Sequence, residues 1–133
     1  MVRFAKWGCR HRGISRDPTT VHVVYRLEDG RRWPGGMICR QCAAAIGPAG
    51  LAELSTFYII QALNWAQLLG PVTIVFEHLA QALSGEQCST VLDHLARKRA
   101  IQAQLLREGL ERAGRWIPPE VQFSEYVAFR ITE

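Results

Sequence analysis

Two short pairs of soft ligands stand out in this chain, Cys9-Arg10-His11 and Cys39-Arg40-Gln41-Cys42. Thiolate and imidazole are the donors that zinc takes in closed tetrahedral sites. Ligands one to three residues apart need only a local turn to converge on one ion. Cys9, His11, Cys39 and Cys42 are therefore the expected metal ligands, and Zn2+ the expected cofactor. The plainer reading makes the cysteines ordinary thiols. His22 competes with His11 as the fourth ligand, although strand alternation turns it to solvent or to the other side of a hairpin. Cys88, at the start of a later helix, is expected to pack as a small hydrophobe.

The chemistry expected of this set is structural. A catalytic zinc keeps one position open, usually with a Glu nearby as base. Here four ligands are at hand, and Glu28 and Asp29 lie at the far tip of the predicted hairpin. No His-Glu-x-x-His, phosphate-binding Gly-rich loop or nucleophile elbow occurs. Glu77-His78 and Asp93-His94 are sequence neighbours on expected helices, where adjacent side chains diverge, so neither makes an acid–base dyad. The reading is a non-enzymatic protein with no catalytic residues.

The element that must bring the two ligand pairs together is a β-hairpin. Residues 20–28 (Thr-Val-His-Val-Val-Tyr-Arg-Leu-Glu) are rich in β-branched types and predict a strand. Asp29-Gly30 is the dipeptide preferred by a type I′ turn, and residues 31–33 return antiparallel. Pro34-Gly35-Gly36 must interrupt the returning strand as a bulge or second turn. In layout, residues 7–44 resemble the zinc-ribbon class, two ligand knuckles at the base of a hairpin. The first knuckle departs from that class, with one residue between its ligands instead of two.

Charge is concentrated on the same segment. Residues 1–42 hold nine Lys/Arg against three Asp/Glu, a net +6, whereas residues 43–133 hold seven against nine, a net −2. Arg10, Arg12, Arg16, Arg26, Arg31, Arg32 and Arg40 are interleaved with Trp7, Tyr25 and Trp33. Guanidinium groups pair with phosphates, and rings stack on unpaired bases. Arg10, Arg12, Arg16, Arg26, Arg31, Arg32, Trp33 and Arg40 are accordingly the expected nucleic-acid contacts. The alternative is a solvated basic surface, with Trp7 and Trp33 as the core of a small ribbon. Arg97-Lys98-Arg99 is a second basic run, ordinarily a solvated helix face.

The remainder reads as helix, giving an α+β protein: an N-terminal zinc-bound β-hairpin module over residues 1–46, packed on a three-helix region with a C-terminal strand over residues 47–133. Gly47-Pro48-Ala49-Gly50 marks the junction. Residues 51–69 predict a helix with only a narrow polar stripe, hence burial on several sides or a contact with a protein partner or a second copy. Pro71 at a first turn predicts a second helix to about residue 83. Ser84-Gly85-Glu86-Gln87 has the form of a capping box ahead of a long helix over 86–113. Val127, Phe129 and Ile131 alternate with polar or small residues as a terminal strand, returning to the hairpin or to residues 2–7. No run of about 18 uncharged apolar residues occurs, and residues 1–7 lack a secretory h-region. The expectation is a cytoplasmic chain with no membrane span, acting as a nucleic-acid-binding or regulatory protein, or else as an adaptor or inhibitor docking on a larger nucleoprotein complex.

Overall fold

A computed structural model of the chain describes residues 7–11 and 13–133. Its architecture is α+β, a mixed four-stranded sheet with helices against one face. The strands are β1 (Val21–Leu27), β2 (Arg32–Ile38), β3 (Val72–Glu77) and β4 (Val127–Ile131). The helices are α1 (Arg40–Leu54), α2 (Thr56–Leu69), the single turn α3 (Leu79–Ala82) and α4 (Gly85–Arg112). Sheet order is β2-β1-β3-β4; β1 is antiparallel to both neighbours and β4 is parallel to β3.

The expected hairpin is β1–β2. Its turn is not type I′, because only Gly30 takes positive φ, at 92°. Gly30 N–H donates to Leu27 O and Leu27 N–H donates to Arg31 O, the pattern of a type I turn closed by a glycine bulge. Pro34-Gly35-Gly36 does interrupt β2 as a bulge: Val24 faces Pro34 and Val23 faces Gly36, leaving Gly35 unmatched. The glycines are there for Tyr58. A Cβ on Gly35 would lie 2.9 Å from Val23 O and 3.2 Å from the Tyr58 ring, and one on Gly36 would strike the Tyr58 hydroxyl.

Three helical expectations are corrected. Residues 71–83 do not form one helix: only the single turn α3 is helical. Val72-Thr73-Ile74-Val75-Phe76 is a run of β-branched and aromatic residues, and it forms β3, one of the sheet's two inner strands. Residues 51–69 belong to two helices, separated at Ser55, whose buried hydroxyl donates to Leu51 O at 2.7 Å. The junction at 47–50 lies inside α1 as a kink, with Gly47 at φ 76° and Pro48 opening the second segment. The expected boundary at 46/47 coincides with this kink, and the sheet and core run across it, from Val21 and Ile38 to Phe76 and Val127.

The long helix matches its expectation. In α4, Ser84 accepts from Gln87 N–H and Gln87 returns a bond to Ser84 N–H. The terminal strand forms, but its partner is β3 and not the hairpin; residues 1–6 lie outside the described residues. Helix α2 is apolar on several sides because β3 and α4 both pack on it, burying Tyr58, Ile59, Ala62, Leu63 and Ala66. The stretch Arg40–Leu69 has the length and apolarity of a membrane span. Here it is kinked, split in two and packed into the core.

Candidate metal centre

The two ligand pairs meet where β2 runs into α1. Cys39 is the N-cap of α1, and its Sγ accepts from Cys42 N–H at 3.3 Å. The Cys-x-x-Cys spacing thus coincides with N-cap and N3 of a helix, whose free N–H groups and dipole favour thiolates. The first pair reaches across from the segment before β1. Cys9 Sγ accepts from Cys39 N–H at 3.3 Å. His11 Nδ1 lies 3.3 Å from Cys9 Sγ, 3.2 Å from Cys39 Sγ and 3.3 Å from Cys42 Sγ.

All four ligand atoms fall within 4.8 Å of one another. This set could hold a metal ion. His22 is elsewhere, paired in the sheet with Met37 and Glu77, so His11 is the histidine brought to the cysteines. Cys88 is half-buried on α4, and burial pushes its thiol up.

The thiols do not share one environment. Burial works against the Cys9 thiolate, but hydrogen bonds from the backbone N–H groups of His11 and Cys39, and from their side chains, outweigh it and hold Cys9 at about 6. Cys42 is pushed up to about 11 by its side-chain hydrogen bond with Cys39, then by burial and by the charges of Cys39 and Cys9. Such splitting is what several acids converging on one point produce, since each thiolate formed opposes the next. A bound dication removes that opposition.

What anchors the first knuckle is Trp7. Its ring is buried, 5.3 Å from Phe76, and its Nε1–H donates to Ser55 Oγ at 3.0 Å. Its backbone N–H donates to the Tyr58 hydroxyl at 3.1 Å. The segment bearing Cys9 is therefore tied to the α1–α2 break and to the sheet. Composition alone leaves Trp7 open between core and base stacking; its partners, distant in sequence, carry no local signal.

The expected nucleic-acid contacts fall into two groups. Arg10, Arg16 and Arg40 are exposed; Arg10 and Arg40 adjoin the ligands in the chain, and Arg16 lies in the turn that begins at Gly13. Arg40 acts on Asp17, whose carboxyl is held low mainly by the N–H and hydroxyl of Thr19. A cleft of about 360 Å³ between His11, Asp17 and Arg40 opens beside the cluster. Arg26, Arg31, Arg32 and Trp33 lie at the other end of the hairpin, roughly 20 Å away for six residues of strand. There Arg31 pairs with Asp29 and Arg32 with Glu77. Trp33 packs edge-on against Trp65, centroids 4.8 Å apart, with the Arg31 guanidinium 5.7 Å from its ring. Arg12 lies outside the described residues.

The basic run on α4 is mostly engaged inward. Lys98 pairs with Glu53, and Arg99 donates to Val127 O at 2.8 Å while lying over Phe129. One basic residue escaped the sequence reading. Arg130 on β4 is exposed and shares the open sheet face with Arg26, because Arg130 aligns with Val75 and Val75 with Val24. Only strand register, not sequence proximity, joins them.

Comparison with known protein families, with curated proteins and with solved structures finds no match for this chain.

Proposed function

We propose that this chain is a non-enzymatic, zinc-stabilised protein whose basic N-terminal third contacts nucleic acid. The observation that carries the reading is the convergence of Cys9, His11, Cys39 and Cys42 with arginines set between and beside them. Zn–S bonds of about 2.3 Å and Zn–N bonds of about 2.0–2.1 Å give a tetrahedron with S···N edges of about 3.5 Å. The three S···N distances of 3.2–3.3 Å are within a few tenths of that. Three thiolates and one imidazole suit zinc better than the hard cations that seek oxygen. Four protein ligands fill the coordination sphere, so the ion would brace the fold and leave no position for substrate.

Bracing has a consequence for the arginines. Arg10 sits between two ligands and Arg40 adjoins a third, so the ion would fix the backbone from which both project. Among the described residues, neither Arg10 nor Arg16 has an acidic partner. Cations held from fixed positions on a surplus-positive segment suit phosphate contact.

The deciding experiment is anisotropy titration of zinc-loaded protein against duplex and single-stranded probes over a range of salt. Binding that weakens with salt, and that the Arg10→Ala/Arg40→Ala variant loses, supports the reading. No binding by micromolar protein at low salt rejects it. A second reading, a protein-interaction module, is favoured by the apolar surface along α2 and α4.

A further inference from the structure

Large apolar side chains are left in water along one side of the molecule, away from the metal centre. On α4, Ile101 is 58% and Leu105 50% exposed; after the helix, Trp116 is 79% and Tyr126 40% exposed. Ile101 and Leu105 are four residues apart and so stand on one helix face. Two hollows lie beside them. One, of about 190 Å³, follows the groove between α2 and α4 past Ile60 and Leu105. The other, of about 380 Å³, lies between the end of α2 and the segment after α4, with Trp116 and Tyr126 in its wall. Leu63, itself buried, lines both, so the hollows are neighbours.

We infer that this surface is a twofold interface between two copies of the chain, with Trp116 of each copy seated in the larger hollow of the other. A twofold contact requires one patch to carry both projections and recesses, because each residue meets its counterpart's neighbour. Here the projecting residues Ile101, Leu105 and Trp116 lie next to two hollows, the smaller mainly apolar and the larger mixed, with Gln67 and Arg115 beside Leu63, Leu110 and Ile117. The charges agree. Residues 101–126 carry Glu108, Glu111, Glu120 and Glu125 against Arg107, Arg112 and Arg115, a net −1, so two copies face each other with mixed charges and only slight net repulsion. The +6 segment at the metal end could not do so.

The area approaches the lower limit for a specific interface. A buried aromatic side chain covers about 150–250 Å², so two Trp116 rings supply roughly 300–500 Å². Two copies each of Ile101, Leu105 and Tyr126, with the walls they cover, bring the total toward the ~1,200 Å² at which specific interfaces begin. This inference stands apart from the zinc and nucleic-acid reading, since none of its residues touches the metal centre.

Sedimentation and light scattering of the full zinc-loaded chain across about 1–100 µM test it. The expected result is a mass that doubles with concentration. Fluorescence should shift to the blue in parallel, because Trp116 is the most exposed of the tryptophans and leaves water on pairing. Trp116→Ala and Leu105→Glu should each give a folded monomer whose thermal midpoint, unlike that of the parent chain, does not rise with concentration; Ile101→Lys replaces either variant if it fails to fold. A chain still monomeric at the highest concentration overturns the inference, whether or not some other protein binds the groove. So does a dimer that survives all three substitutions.

Discussion

Cys9 and Cys42 frame the pH dependence expected of the metal site. With Cys9 held at about 6 and Cys42 pushed up to about 11, a metal-free chain at neutral pH carries the Cys9 thiolate and the Cys42 thiol. Binding must therefore expel at least the Cys42 proton, and affinity falls as pH falls. Below about pH 6 Cys9 also takes up a proton, and the loss steepens. Competition with a chromophoric chelator at several pH values measures this; affinity that stays flat from neutrality to mild acid would contradict it. A second residue-scale expectation concerns Gly36. An added Cβ meets the Tyr58 hydroxyl and stands 3.0 Å from Trp7 O, so Gly36→Ala should cost about 1–3 kcal/mol of stability by overpacking, read by denaturant unfolding. The ligands are legible in sequence because each pair is local. The Trp7–Tyr58–Gly36 contact that holds the first knuckle in place spans fifty residues, and nothing local announces it.

At the scale of elements, legibility follows the range of the forces that shape each one. The start of α4 is fixed by four consecutive residues, and both bonds of its capping box form. Ser84→Ala should cost about 1 kcal/mol, and a thermal midpoint unchanged within error would show the cap to be redundant. Strand β1 alternates cleanly because one face is buried and the other open. Strand β3 misleads for the opposite reason. It is an inner strand with Val75 buried on its outer face as well, so the period-two signal is blurred, and Pro71 suggests a helix start. The β-branched run is the signal that decides it. The Gly47-Pro48 kink and the Ser55 break are equally indistinct: α1 and α2 together read as one apolar helix until Trp7 is seen to claim the Ser55 hydroxyl. Arg99 shows the same limit. Its guanidinium caps Val127 O, a strand carbonyl twenty-eight residues on, while in sequence it belongs to a solvated charge run.

For the whole molecule, the shared sheet governs what metal loss does. Because β1 lies between β2 and β3, loosening the hairpin base removes support from the strand on which β4 and α2 pack. Chelation or Cys39→Ser should lower a single cooperative transition, by about 4 kcal/mol if free metal stands near a thousandfold above its dissociation constant. Helical and near-ultraviolet circular dichroism should then melt together; a hairpin signal lost with the helices intact would mean two independent units. The nucleic-acid reading has its own whole-molecule signature. Of the arginines expected to meet phosphates, Arg31 and Arg32 are already paired with acids, and breaking those pairs offsets what new contacts would yield. With Arg12 outside the described residues and Arg26 at the far end of the hairpin, the N-terminal segment near the ligands offers Arg10, Arg16 and Arg40, and three phosphate contacts give a double-logarithmic salt slope of about −2.7 on duplex. Removing Arg10 or Arg40 should reduce the slope by about one unit, whereas Arg31→Ala should barely change it. Trp33→Ala should lower stability, because its ring packs on Trp65, and should not selectively weaken single-stranded binding. A slope that drops equally for Arg10→Ala and Arg31→Ala would move the contact surface from the metal end to the hairpin as a whole.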